Sequence, residues 1–255
     1  EAVRDDGPGT YLLLDRDTET VTSLFTDRPA LVEYQLTPIE PFTVIARDGL
    51  TLPGYLAGAT DRPLPTVLSV HGGPWDRDSW GLNPEAQWLA NRGYVWASIN
   101  FRGSRGYGKR FLTAGDRQWG AAMQDDLLDT VAALVERGLA DPERIAILGA
   151  SYGGYAALCG AAFTPDVFRC AVDICGPSDL RTLLTGLPPW WTALNGMWHR
   201  RVGHPEHDGD LLWSRSPLSR AADIRCPVLI VQGENDPRVP ATESEQIVAA
   251  LRDHG

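Results

Sequence analysis

Lysine is almost absent from this chain of 255 residues. Lys109 is the only one, and arginine supplies the rest of the positive charge. Acidic residues outnumber basic ones by 33 to 23, for a formal net charge of −10. With no basic run, that balance disfavours a nucleic-acid groove and an anionic membrane surface. No stretch approaches the ~20 apolar residues of a membrane-spanning helix. Cysteine is scarce. Cys159, Cys170, Cys175 and Cys226 form no C-x-x-C pair, and each lies in or beside an apolar segment. Buried free thiols in a reducing compartment are expected, with a disulfide pair as the alternative. Residues 1–6 show neither a signal-peptide pattern nor an initiator methionine. The first absence favours the cytoplasm; the second suggests a processed or truncated chain. A G-x-G-x-x-G after the first strand is missing too, which disfavours a dinucleotide-binding protein.

What is present centres on Ile145-Ala-Ile-Leu-Gly-Ala-Ser151-Tyr-Gly-Gly-Tyr-Ala-Ala-Leu158. A short β-branched run ends at Gly149, a small-residue helix follows, and Gly149 to Gly153 fit G-x-S-x-G. Such a turn puts a serine hydroxyl on top of a sheet, at the N-terminus of a helix whose N–H groups can receive an oxyanion. The five-residue pattern alone fits a glycine-rich turn with an incidental serine; the flanking strand and helix favour a nucleophile.

The rest of the chain predicts an alternation. Strands are expected near residues 11–15, 20–25, 42–47, 51–57, 66–70, 95–99, 145–148, 171–175 and 227–232, and helices near 84–92, 120–137, 152–162 and 242–252. Pro53 suggests that its strand lies at an edge. Residues 178–222 read as irregular and tryptophan-rich. Strands alternating with helices imply an α/β fold with a mostly parallel, doubly wound sheet. Residues 1–38 read as a separate unit, either a simple hairpin or the end of a β-propeller blade, with 39–255 as the main domain.

A hydrolytic serine needs an acid, a base and two N–H donors. Asp236 follows the 227–232 strand, as a triad acid should, and Glu234 is its rival. Tyr152, after the serine, supplies one donor; Gly73 of His71-Gly-Gly-Pro74 is placed to supply the other. His71 comes too early in the chain to be the base and reads as a packed histidine. His254, at a helix end, reads as a surface residue. His204-Pro-Glu-His207 is a weak metal pattern for which a solvated loop is the better account, so no metal site is assigned.

These motifs resemble the prolyl oligopeptidase family of serine peptidases, and most nearly its acylaminoacyl-peptidase branch. The resemblance rests on His71-Gly-Gly-Pro74, Asn100-Phe-Arg-Gly-Ser-Arg-Gly-Tyr-Gly108, Gly149-Ala-Ser-Tyr-Gly-Gly154, Ser216-Pro217 and Gly233-Glu-Asn-Asp-Pro-Arg-Val-Pro240, in the family's order. It implies an α/β-hydrolase domain, expected here without its last strand, under a β-propeller that admits short peptides. It implies Ser151 as nucleophile, Asp236 as acid, and Gly73 and Tyr152 as the oxyanion donors. Arg238 would contact a substrate carbonyl, and Trp190 and Trp191 would line the substrate pocket, although core packing accounts equally well for the tryptophans. No cofactor is implied. The expected partners are a short peptide or acyl-peptide substrate and an upstream propeller. The family's histidine follows one further strand, so the base is expected beyond residue 255, and the chain alone is expected to be inactive. The alternatives are a small-molecule esterase or amidase on the same machinery, and a non-catalytic module of the same fold.

Overall fold

A computed structural model describes residues 1–253; the expectation for His254 lies outside the described residues. The chain opens with β1 (Thr10–Asp15) and β2 (Thr20–Thr26), an antiparallel two-stranded sheet of their own. A second sheet contains β3 (Ile39–Ile45), β4 (Thr51–Ala57), β5 (Leu64–Val70), β6 (Val95–Ile99), β7 (Ala140–Ala150), β8 (Cys170–Ile174) and β9 (Val228–Val231). Its order is β3-β4-β6-β5-β7-β8-β9. From β6 to β9 every pairing is parallel, while β3 and β4 are antiparallel additions. The helices are α1 (Pro84–Ala90), α2 (Lys109–Thr113), α3 (Ala122–Glu136), α4 (Tyr152–Phe163), α5 (Leu180–Thr185), α6 (Asn195–Arg201), α7 (Gly209–Ser214) and α8 (Ala241–Asp253). None is long and apolar enough to cross a membrane.

The central strands are apolar on both sides because both faces are covered. In β6, Val95, Ala97 and Ile99 point into a cluster with α3 and α4, while Trp96 points into one with α1. Leu68 and Val67 divide in the same way on β5. Asn83 caps α1, its side chain accepting from the Glu85 and Ala86 N–H groups at 2.9 and 3.0 Å. On α3 the expected stripe is present, with Met123, Leu127, Val131 and Leu134 buried. Three polar residues, Gln124, Asp126 and Thr130, are buried there as well.

Three expectations change. Pro53 does not mark an edge, since β4 lies between β3 and β6. Its carbonyl accepts from Asn100, just past the last β6 pair at Ile99, so its missing N–H faces the place where the β6 ladder stops. β7 begins earlier than expected, at Ala140, because Leu64 pairs with it across a register shift. The 178–222 segment is largely helical, holding α5, α6, α7 and 3₁₀ turns at Pro189–Leu194 and Pro217–Asp223. Six or seven residues make under two turns, too few for an apolar period to register. Tertiary contacts define these helices instead: Asp179 caps α5 at the Arg181 N–H, and the Ser216 hydroxyl accepts from Leu180.

The thiols also differ from expectation. All four cysteines are free, but only Cys159 is fully buried.

Candidate active site

Ser151 sits between the end of β7 and the first residue of α4, with φ +57° and ψ −118°. A non-glycine residue holds such a backbone only when its surroundings impose it. They do here. The Ser151 N–H donates to Ile174 of β8 at 2.8 Å. Gly153 lies so close to Val70 that a Cβ would run into the Val70 carbonyl, and a Cβ on Gly149 would run into Gly153. The expected glycine requirement at the turn is therefore a matter of close packing.

A cavity of about 410 Å³ opens over this turn. Ala150, Ser151 and Tyr152 lie on one side and His71, Gly72 and Gly73 on another. Tyr152 begins α4, so its N–H has no acceptor within the helix. Its ring turns inward, packing against Trp119 at 4.6 Å and Phe101 at 5.2 Å. Gly73 has φ +118°, and a Cβ there would meet the Trp75 nitrogen at 2.7 Å. Trp119, Trp191, Trp198 and Leu183 make an apolar wall, with Trp191 stacked on Trp198 at 5.6 Å. Arg77, Asp76 and Arg238 make the polar rim. Trp191 thus reaches the cavity, whereas Trp190 is 63% exposed and lies outside it.

Asp236 is half-buried in the loop after β9, while Glu234 is exposed. Its Oδ1 accepts from Arg238 at 2.8 Å and Val239 at 3.1 Å. Burial opposes its charge, but these donors and the Arg238 guanidinium outweigh it and hold the carboxyl below the usual range. The Cys175 thiol lies against both the Ser151 backbone and the Asp236 carboxylate. Burial pushes that thiol up, so it stays protonated. Nothing in the sequence separated Cys175 from the other three thiols.

His71 is no base. Its ring stacks on Phe101 at 4.4 Å, Nδ1 donates to the Gly72 carbonyl at 2.8 Å, and Nε2 lies 2.9 Å from the Ser104 hydroxyl. Burial lowers its pKa and keeps it neutral, and the Ser104 hydroxyl beside Nε2 donates to the Phe101 carbonyl at 2.7 Å. The ring instead shapes the Gly72–Gly73 backbone. Among the described residues, no other histidine lines the cavity.

Two buried acids escaped sequence reasoning. Glu243, at the start of α8, accepts from the Ser178 and Asp179 N–H groups at 2.8 and 3.0 Å and so fixes the loop carrying Pro177 to the cavity edge. Asp173 of β8 lies directly under the turn, packed against Gly154 and accepting from Gly176 at 2.7 Å. Burial raises it to about 7. A carboxyl raised on folding is protonated in the folded chain where the unfolded chain has already lost the proton. Stability therefore falls as pH rises from about 4 to about 7, by at most about 1.4 kcal/mol per pH unit, and levels off above. Asp173→Asn should remove that slope. Urea unfolding of both proteins across this range checks it, and parallel profiles would refute it.

Comparison with known proteins agrees with this geometry. The sequence model of the Prolyl oligopeptidase family matches residues 80–255. Dipeptidyl aminopeptidase BIII of Pseudoxanthomonas mexicana is 48% identical over 97% of this chain and 38% of its own length. Dipeptidyl peptidase family member 6 of Caenorhabditis elegans is 38% identical over 96% of this chain and 37% of its own. A puromycin-hydrolyzing peptidase of Mycobacterium tuberculosis superposes with a TM-score of 0.89 at 31% identity, over 99% of this chain and 39% of its own. The chain thus spans about two fifths of the length of these relatives. On sequence motifs, sheet order and serine turn together, the chain belongs to the prolyl oligopeptidase family.

Proposed function

We propose that this chain is the catalytic part of a serine peptidase that cuts short peptides. Ser151 attacks the scissile carbonyl, a histidine beyond residue 255 takes its proton, and Asp236 orients that histidine. The N–H groups of Tyr152 and Gly73 stabilise the tetrahedral oxyanion, and Arg238 contacts a substrate carbonyl. Water then releases the acyl-enzyme. The single observation that carries this reading is the positive φ of Ser151 at the head of α4, in the floor of the cavity.

Release of N-terminal dipeptides is the form we favour, because the relative sharing 48% identity is named for it. A second reading, hydrolysis of small aminoacyl amides, draws on the puromycin-hydrolyzing neighbour. The tryptophan wall suits an apolar or aromatic side chain at the cleavage site in either case. Residues 1–38 then form the end of an upstream propeller blade. Supporting this, Leu12, Leu13, Leu14, Val21, Leu24 and Phe25 on the β1–β2 hairpin are 41–61% exposed, and an isolated two-stranded sheet is at best marginally stable. Leu229 and Val231 on β9 are likewise exposed, as expected of a strand that another strand or helix should cover. The free thiols suit a reducing compartment, and we place the enzyme in the cytoplasm.

The test is covalent labelling in the protein that carries the proposed base. A fluorophosphonate should modify wild type at Ser151 and leave Ser151→Ala unlabelled; equal labelling of both would refute the nucleophile. Dipeptidyl arylamides, acylaminoacyl arylamides and puromycin, offered in parallel, then separate the substrate readings.

A further inference from the structure

In sequence, His204-Pro-Glu-His207 is one H-x-x-H in a polar loop. The fold brings a third imidazole to it. His199, on α6, has its ring centroid 4.4 Å from that of His204, which in turn stacks 4.4 Å from that of His207. One ligand atom from each of His204, Glu206 and His207 lies within 4.8 Å of the others. A concavity of about 390 Å³ beside them is lined by Glu206, His207, Asp208 and Asp210, which gives it an acidic character.

The turn is held in place before any ion arrives. The Asp208 carboxylate accepts the His204 N–H at 2.7 Å and is gripped by both terminal nitrogens of Arg117, at 2.9 and 2.7 Å. Held from both sides in this way, Asp208 is an anchor for the turn. Glu206 and His207 remain exposed and free to turn. Donors around a tetrahedral zinc sit roughly 3.3 Å apart, so His204, Glu206 and His207 need to close by at most about 1.5 Å, which rotamer changes supply, and His199, placed by its ring beside His204, must turn in to join them. The Glu206 N–H bond to His204 Nδ1 is long, at 3.2 Å, and yields easily to ligation.

We infer that His199, His204, Glu206 and His207 bind one divalent transition cation of the Zn²⁺ class. Imidazoles with a single carboxylate suit Zn²⁺, Co²⁺, Ni²⁺ or Cu²⁺; Ca²⁺ and Mg²⁺ want oxygen ligands throughout. The ion would tie α6 to the turn that follows it. Next to His199 on α6 is Trp198, which lines the cavity and packs edge-on against Trp75 at 5.0 Å. Binding should therefore stiffen the tryptophan wall, whatever that cavity accepts.

Calorimetric titration with ZnCl₂, near neutral pH, of the protein that carries the proposed base tests this without any activity assay. We expect one saturable equivalent and a rise in Tm. His199→Ala, His204→Ala and His207→Ala should each weaken binding by at least ~10-fold, while their metal-free circular dichroism matches wild type. Absence of saturable binding overturns the site. So does unchanged affinity in a His204→Ala/His207→Ala variant, which would put the zinc on the thiols.

Discussion

Ser151→Ala is expected to lower turnover by ~10⁴–10⁶-fold in the protein that carries the proposed base, and to leave the fold intact. The two halves of that expectation come from different parts of the structure. The rate loss follows from the proposed role of Ser151, which lines the cavity at the turn. Cys175 is no substitute, since its burial keeps the thiol protonated. Fold retention follows because the turn is held by backbone groups. The Ser151 N–H bond to Ile174 and the contact of Gly153 with Val70 survive the change. Alanine tolerates φ +57° no better and no worse than serine, so Tm should move little. Ser151→Gly should lose the same turnover yet gain about 1 kcal/mol, because glycine relieves the positive φ. Turnover and Tm measured on both variants decide the matter. Retention of more than a hundredth of wild-type turnover would exclude Ser151 as nucleophile.

The sequence made the frame legible where a local pattern and a global role coincide. The Ile145 to Leu158 stretch predicted strand, turn and helix, and all three are present; the local glycines permit the turn, and Val70 and Ile174 hold it. Gly73, Tyr152, Ser151 and Arg238 line one cavity although more than 160 residues separate the first from the last. Family motifs, not periodicity, linked them. What remained hidden depends on partners distant in the chain. Asp173 reads as one polar residue in an apolar strand, and only the approach of Gly154 and Gly176 makes it a buried acid. His199 lies five residues before His204 and follows no ligand spacing, yet α6 brings its ring centroid to 4.4 Å from that of His204. Trp190 and Trp191 are chemically identical neighbours, and only the 3₁₀ turn that contains them turns one inward and the other out.

Arg102→Ala is expected to cost about 3–5 kcal/mol at neutral pH, through the same kind of hidden partnership. The Asp126 side chain is fully buried on α3. Arg102 meets it with Nε at 2.9 Å and Nη2 at 2.7 Å, and the Arg102 backbone N–H adds a third bond at 2.8 Å. Arg102 also binds Asp48, but that carboxylate is half-exposed and its loss should matter little. Removing the guanidinium leaves one buried carboxylate with a single backbone donor. Burial already raises Asp126 in the wild type despite the opposing arginine. Without the arginine it rises further, and protonation then relieves the variant. The loss should therefore be greatest at neutral pH and above, and shrink as pH falls. Replacing both partners, as Arg102→Met with Asp126→Leu, should recover most of the stability, since neither charge is then stranded. Urea unfolding of the single and double variants checks this. A single-variant loss below about 1 kcal/mol, or no recovery in the double, would show that the pair is no clamp. The clamp matters to the site because Arg102 opens the loop that carries Ser104, and Ser104 engages the His71 ring beside Gly73. A loosened loop should thus misplace Gly73, the proposed oxyanion donor, without touching the serine, lowering kcat more than it raises KM.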